Sequence, residues 1–372
     1  MSDKTRIEWA DATVNAVNGC SLESPGCTNC YAMKLAGTRL KHHPSRAGLT
    51  ADSKAGPVWT GEVRLNETAL LQPLRWKAAR RIFWNAHGDL FHENVPDEWI
   101  DRVFAVCALT PQHQHLILTK RSARMRQYFS DATSYKSGDG TFSRGNIVAD
   151  AARSLGATLR QCREAKLAAW PLPNVWLGVS VEDQARADQR IPDLLATPAA
   201  VRFISAEPLL GPVDLTVICA DADGFKLNLN ALDGFIRHLE HRSAMTGHVT
   251  QTPKFGYIDG LRTPLDWVIV GGESGPNARP MHPDWARTLR DQCAAAGVPF
   301  FFKQWGEFTA LETDADWDRT DWDNPRTDRL VSHNSAHDQN YYRCGKAKAG
   351  RLLDGREWSG FPAPSTSSGQ SE

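Results

Sequence analysis

The chain has 372 residues, of which 41% are hydrophobic and 23% charged, values typical of a globular protein large enough to bury a sizeable core. It has 43 basic and 43 acidic residues, so the formal net charge is zero and overall charge gives no reason to expect nucleic-acid binding. No apolar run reaches transmembrane length and the first residues lack a signal-peptide core, which predicts a cytoplasmic protein that does not contact a membrane.

Three of the eight cysteines lie close together in GCSLESPGCTNCYA, residues 19–32. Cys20, Cys27 and Cys30 form a C-x6-C-x2-C pattern, and the glycine, proline, serine and asparagine between them allow a loop in which the three sulfurs converge. In a reducing compartment this pattern indicates metal ligation rather than a disulfide. Three thiolates favour a [4Fe-4S] cluster with one open iron, since a closed zinc site takes four protein ligands; zinc completed by a histidine or a distant cysteine is the alternative.

Short apolar strands alternate with helix-like segments along most of the chain. Strands are predicted at 13–17, 82–85, 115–119, 175–181, 201–205, 267–270 and 299–302, and helices are predicted to begin at Pro96 and to cover Pro283–Ala296. Continuous apolar strands of this kind are typical of a parallel sheet buried on both faces. The sequence therefore predicts an α/β fold, a complete or partial (β/α) TIM-like barrel.

Three stretches fall outside this alternation, at 130–170, at 216–264 and from 307 onward. The predicted barrel domain covers 1–306, with the cysteine loop at 19–32 and an insertion at about 216–264. A C-terminal extension with a β-hairpin is predicted at 307–362, followed by a disordered tail at 363–372.

Polar or glycine residues follow the predicted strands at the points where the strands end. Because the carboxyl ends of barrel strands share one rim, where active sites lie, these residues are candidates for a ligand site. They are Asp89, Lys120, Arg121, Glu182, Glu207, Gly271, Gly272 and Glu273.

The order of these motifs resembles the phage-associated three-Cys-motif family. The resemblance covers nearly the whole chain and rests on IEWADATVNAVNGCSLESPGCTNCYA, QPLRW, GDLFHENVP, LTKR, PNVWLGVSVEDQ, RFISAEPLLGP, DWVIVGGESGPNARPMHPDWAR, PFFFKQWGE and GRLLDGREW. In architecture this family is similar to radical S-adenosylmethionine enzymes, which usually carry C-x3-C-x2-C with an aromatic residue before the last cysteine. Here the first gap has six residues and Tyr31 follows the last cysteine.

The resemblance implies a [4Fe-4S] cluster, S-adenosylmethionine bound to its open iron, and an external electron donor. It implies that Asp89 accepts from the cofactor ammonium, although a helix-capping or turn role is the alternative. Lys120 and Arg121 could pair with the cofactor carboxylate or a substrate phosphate.

The remaining candidates are three glutamates and two glycines. Glu182, Glu207 and Glu273 could bind ribose hydroxyls or substrate, or pair with basic residues of the rim. Gly271 and Gly272 would allow a ligand to approach the backbone closely.

The function predicted from these residues is that of a radical S-adenosylmethionine-like enzyme acting on nucleic acid or a nucleotide, in modification or repair. The basic stretch Arg75, Lys77, Arg80 and Arg81 is compatible with that substrate class. Two alternatives remain: a nucleic-acid-binding phage accessory protein with a structural iron–sulfur or zinc site, and a non-radical iron–sulfur enzyme or redox sensor. The sequence identifies no catalytic residue.

Overall fold

A computed structural model gives the structure of the protein. It describes residues 5, 7–131, 136–137, 140–141, 144–167, 170–222, 225–242, 249–252, 264–311, 331–334 and 339–363. None of the helices within these ranges is long and apolar enough to span a membrane.

Seven parallel strands form a curled, half-barrel sheet in which neighbours in space are also consecutive strands of the set. We label them β1 to β7 in chain order: Ala12–Val14, Arg81–Trp84, Gln114–Thr119, Val175–Ser180, Val201–Ala206, Trp267–Gly271 and Phe300–Gln304. Strands β4 and β5 are buried along their whole length, as expected for strands covered on both faces. The predicted α/β fold with a parallel sheet is confirmed.

Within the described ranges, nine α-helices accompany the strands. They are α1 (Tyr31–Gly37), α2 (Glu67–Leu70), α3 (Asp97–Leu109), α4 (Ser122–Asp131), α5 (Arg144–Ser154), α6 (Leu159–Leu167), α7 (Gln184–Ala196), α8 (Pro283–Ala296) and α9 (Lys346–Ala349). Pro96 precedes α3 as its N-cap, and α8 has the predicted bounds. Helix α8 stops at Gly297, whose φ of 69° is a left-handed conformation that glycine adopts easily.

The two faces of the sheet bury different side chains. The outer face packs its aliphatic residues against the helices, for example Ile117 and Leu177 against Phe104 of α3. The inner face is lined by a separate aromatic-rich cluster that includes Phe83, Trp176, Phe203, Trp267 and Phe301. The interior of the half-barrel is therefore a packed core over part of its depth.

Both ends of the described chain contribute to this inner cluster. Trp9 stacks edge-on against Phe83 with ring centroids 4.7 Å apart, and Phe361 lies 5.0 Å from Trp267. The indole N–H of Trp267 also donates to Gly360 O at 2.7 Å. These contacts fill the inner face with protein side chains and leave its carboxyl end for the cysteine loop.

Smaller antiparallel units are attached to the sheet. Between β5 and β6, within the predicted insertion, the strands Ile218–Ala222, Phe225–Asn230, Phe235–Arg242 and Val249–Thr252 form a four-stranded sheet. After β7, Phe308–Ala310, Val331–Asn334 and Gln339–Arg343 form a three-stranded sheet, and Leu352–Leu353 pairs with Arg356–Glu357. The remaining pairs are Val17–Asn18 with Arg64–Leu65, Thr50–Ser53 with Gly56–Trp59, and Lys136–Ser137 with Gly140–Thr141.

The predicted domain limits stay a prediction. Almost all of the predicted disordered tail, residues 364–372, lies outside the described residues, as do 253–263 of the insertion and 312–330 of the extension.

Candidate functional site

The cysteine loop begins at the carboxyl ends of β1 and β2. Gly19 forms a parallel bridge with Gly88, and its N–H donates to His87 O at 3.1 Å. Gly19 has a φ of +93°, and a side chain there would meet the Glu62 carbonyl oxygen at 2.1 Å. A glycine is therefore needed where the chain turns from the sheet into the loop.

All eight cysteines are free thiols, and the three of the loop are at least half-buried. Burial raises the pKa of Cys20 to about 12; Asp89 adds to the rise, Arg121 opposes it, and Cys27 and Cys30 raise it further. Burial also raises the pKa of Cys30, while the backbone N–H groups of Met33 and Ala32 at the start of α1 favour its thiolate. In the metal-free protein the raised pKa values of Cys20 and Cys30 keep both thiols protonated at neutral pH.

Arg121, two residues beyond the last residue of β3, connects the loop to the sheet. Its guanidinium donates from Nη2 to the Ser21 hydroxyl at 2.6 Å, from Nε to Glu93 at 3.0 Å and from Nη1 to Asp89 at 3.2 Å. Nη1 also lies 3.6 Å from Cys20 Sγ. The side chain is buried, so the fixed charge of Arg121 is held beside the first cysteine.

Asp89 is buried and accepts four hydrogen bonds. Its donors are the Thr119 hydroxyl at 2.7 Å, the backbone N–H groups of Phe91 and Lys120 at 3.0 and 3.1 Å, and Arg121. Both carboxylate oxygens are thus engaged by the protein itself. The predicted contact between Asp89 and a cofactor ammonium stays a prediction, and the structure gives Asp89 a role in holding Arg121.

Glu182, two residues beyond the last residue of β4, supports the middle of the loop. Its side chain is fully buried, and it accepts from the Ser24 hydroxyl at 2.7 Å, from Arg190 at 2.9 Å and from Lys120. Burial opposes its charge, but Lys120 and Arg190 outweigh that effect and lower its pKa. Gly26 packs directly on this carboxylate, because a Cβ at Gly26 would lie 2.5 Å from Glu182 Oε1.

Glu273, two residues beyond the last residue of β6, fixes the third side of the loop. It accepts from Arg279 Nη2 at 2.7 Å and from the side-chain amide of Asn29 at 3.1 Å. Arg279 also donates to Pro25 O at 2.9 Å, and the Asn29 amide to Asn277 O at 2.6 Å. Carboxylates after β4 and β6 therefore hold residues on both sides of Cys27.

Glu207 and Lys303 form a further ion pair at the same end of the sheet. Lys303 Nζ lies 2.6 Å from Glu207 Oε1, and the two residues come from β7 and the end of β5, on either side of β6. Gly271 lies between them, with its missing Cβ 3.4 Å from Glu207 and 3.5 Å from Lys303. Gly272 is required for a different reason. A Cβ there would meet the Trp305 carbonyl oxygen at 1.9 Å.

Tyr31 directly follows the last cysteine of the loop, and its side chain is partly exposed. Burial raises the pKa of the Tyr31 hydroxyl, and Cys30 and Glu207 raise it further. The exposed fraction of the side chain is nevertheless 54%. Its hydroxyl donates to Ala86 O at 2.9 Å and its ring lies edge-on to His87, with centroids 5.9 Å apart.

The buried Arg46 contacts the half-buried His87 next to Tyr31. Arg46 Nη2 lies 2.7 Å from His87 Nδ1, which must accept and so carries no proton. Burial, followed by the charge of Arg46, lowers the pKa of His87 to about 4. The histidine is therefore neutral at physiological pH.

The structure brings most of the predicted site residues to one end of the sheet. Arg121, Glu182 and Glu273 contact the cysteine loop, Asp89 and Lys120 contact those residues, and Glu207 lies beside Gly271. The basic stretch behaves differently: Arg81 opens β2 and Arg80 stacks on Trp76 at 4.6 Å, at the amino end of the sheet. It lies at the opposite end from the cysteines.

Sequence reasoning missed several residues that hold the loop. Ser21, Ser24 and Asn29 lie between the cysteines and were given no partners, while Glu93 and Arg190 lie in helix or turn segments. For Gly26 the sequence held one signal. This glycine stands directly before Cys27, in a loop expected to pack on strand ends.

The donor chemistry of the loop fits an iron–sulfur cluster or a thiophilic ion. Three free thiols share one electrostatic environment beside a buried guanidinium, which can offset part of the negative charge of thiolate ligands. In the part of the chain that the structure describes, no three His, Cys, Asp or Glu side chains are already grouped as ligands of one metal ion. Cys20, Cys27 and Cys30 are the residues that would hold a cluster or a metal ion at this loop.

The chain belongs to a family described as "Protein of unknown function (DUF5131)", whose model matches residues 4–362. That match includes the cysteine loop and all seven strands of the sheet. Searches of curated proteins and of solved structures give no match.

Replacing Gly26 with alanine tests the contact between the loop and Glu182. The new methyl group would overlap a carboxylate that Lys120 and Arg190 hold in place, so we expect the free energy of unfolding to fall by about 1–3 kcal/mol. Urea unfolding of the metal-free protein measures the change. Gly211→Ala is the matched control, because a Cβ there would lie at an ordinary 3.4 Å from Asp183. Equal stabilities of the two variants would contradict the contact.

The His87 environment predicts a pH effect on stability. His87 has a native pKa of about 4, below the usual value of about 6.5, so between these values the unfolded chain binds a proton that the native protein does not. Stability should therefore fall as pH drops from about 6.5 to 4. His87→Gln keeps an acceptor for Arg46 and should lose less stability over that interval. Urea midpoints measured against pH check this, with the exposed His42→Gln as control; identical profiles for H87Q and wild type would refute it.

Proposed function

We propose that the chain is a cytoplasmic iron–sulfur protein, a radical S-adenosylmethionine-like enzyme in which Cys20, Cys27 and Cys30 hold a [4Fe-4S] cluster. The observation that carries this proposal is the docking of a three-cysteine loop on charged residues that follow β3, β4 and β6 of a parallel half-barrel sheet. Active sites of β/α barrels lie at that end of the strands. We propose accordingly that the fold is a partial (β/α) barrel with a cysteine loop, an insertion and a C-terminal hairpin.

When bound, the cluster and S-adenosylmethionine supply a 5'-deoxyadenosyl radical after one-electron reduction by an external donor. The residues of the chain perform the remaining tasks. Glu182 and Glu273 keep the loop in place through Ser24 and Asn29. Arg121 neutralises part of the negative charge that three thiolates would bring to a buried position.

We propose that the organic ligands bind beside Tyr31, near the Glu207–Lys303 ion pair. Lys303 presents a cation for a carboxylate or phosphate, and Glu207 Oε2 receives no hydrogen bond from the described part of the chain, so it remains an acceptor. The accessible ring of Tyr31 offers a stacking surface for a base. This combination supports the proposal that the substrate is a nucleotide or nucleic acid.

The resemblance to the phage-associated three-Cys-motif family supports the same proposal, since it covers the loop and the strand ends together. Two alternatives make different predictions. A nucleic-acid-binding accessory protein would hold zinc or a cluster without turnover, and a non-radical enzyme or redox sensor would hold a cluster without cleaving S-adenosylmethionine.

Anaerobic reconstitution tests the proposal. We expect about four iron and four acid-labile sulfide per chain, as a [4Fe-4S] cluster requires. Replacement of any one of the three loop cysteines by alanine should remove most of the cluster, because each supplies one of three protein ligands. Cys344→Ala is the matched control, since Cys344 is also half-buried but lies in the C-terminal extension.

The reduced, reconstituted protein should then release 5'-deoxyadenosine from S-adenosylmethionine, measured by chromatography. Stoichiometric zinc without sulfide would refute the cluster and favour the accessory protein. A full cluster that neither binds nor cleaves S-adenosylmethionine would refute the radical enzyme.

A further inference from the structure

Arg121 is held in the structure by more contacts than docking the loop requires. All three of its guanidinium nitrogens donate, to Glu93, to Asp89 and to both the hydroxyl and the carbonyl oxygen of Ser21. Asp89 is in turn fixed by three further donors. The result is a guanidinium with one orientation, and in that orientation Nη1 lies 3.6 Å from Cys20 Sγ.

The other two docking contacts do not have this feature. Glu182 holds the loop through the Ser24 hydroxyl, and Arg279 holds it through Pro25 O. Arg121 is the cationic side chain for which the described residues show a contact with a loop sulfur. Its position is therefore not explained by loop docking alone.

We infer that Arg121 is a positioning residue that raises the reduction potential of the cluster by donating an N–H to the Cys20 sulfur. This inference rests on the proposed function. One electron from an external donor, such as a reduced flavin or iron–sulfur protein, enters the cluster and makes it more negative. A donor aimed at a ligand sulfur stabilises that reduced state more than the oxidised one, so the potential rises.

The direction of the N–H group matters more than the charge of Arg121. Asp89 and Glu93 lie against the same guanidinium at 3.2 and 3.0 Å, and their negative charges offset its field at a distance. The short-range contact with sulfur is what remains. A lysine at this position keeps the charge but loses the planar fork that reaches Asp89, Glu93 and Cys20 together.

Midpoint potentials of the reconstituted cluster test the inference, measured by dithionite titration followed by electron paramagnetic resonance. We expect Arg121→Gln and Arg121→Lys to shift the potential to more negative values, with most of the shift already present in the lysine variant. Arg279→Lys is the matched control. Arg279 also ties the loop to a strand-end carboxylate, but it contacts Pro25 O rather than a sulfur, so its replacement should leave the potential unchanged.

Three results would overturn the inference. The first is a wild-type potential in both Arg121 variants at full cluster content. The second is loss of the cluster from both Arg121 variants but not from R279K, which would give Arg121 a structural role only. The third is a wild-type protein that takes up no iron–sulfur cluster; this result alone also refutes the proposed function, whereas the first two leave it standing.

Discussion

The contact between the cysteine loop and the charged ends of the strands is the constraint on which the rest of the site depends. A loop rich in turn-forming residues has little reason to keep one conformation by itself. Here Arg121, Glu182 and Glu273, which follow three different strands, each bind a different part of it. Burying these charges is costly, and the hydrogen bonds and opposite charges of the loop and rim compensate for that cost.

The two ends of the inner face of the half-barrel carry different kinds of side chain. Toward the amino ends, aromatic side chains such as Trp9 and Trp267 pack together in one buried cluster. Toward the carboxyl ends, Gly271 and the Glu207–Lys303 pair replace them with a polar surface. Rigid packing at one end supports a site at the other, which is where precise positioning of thiols is needed.

Local patterns in the sequence were sufficient for the strands but not for the contacts between distant residues. Runs such as 115–119 and 201–205 are apolar because both faces of their strands are covered, and this made the parallel sheet predictable. The hydrogen bonds of Asp89 with Thr119 and Arg121 depend on distances across the sheet. The close contact between Glu182 and Gly26 does so as well. No spacing along the chain encodes those distances. The sequence likewise predicted an insertion but not the antiparallel sheet at 218–252, whose strands pair with one another.

The most direct test of the account is Mössbauer spectroscopy of the protein reconstituted with 57Fe, recorded before and after addition of S-adenosylmethionine. Three thiolate ligands on a cubane leave one iron open, so the account predicts a [4Fe-4S] spectrum in which about one quarter of the iron changes on addition of the ligand. A spectrum in which the ligand changes none of the iron, or a protein that retains zinc and takes up no iron, would contradict it.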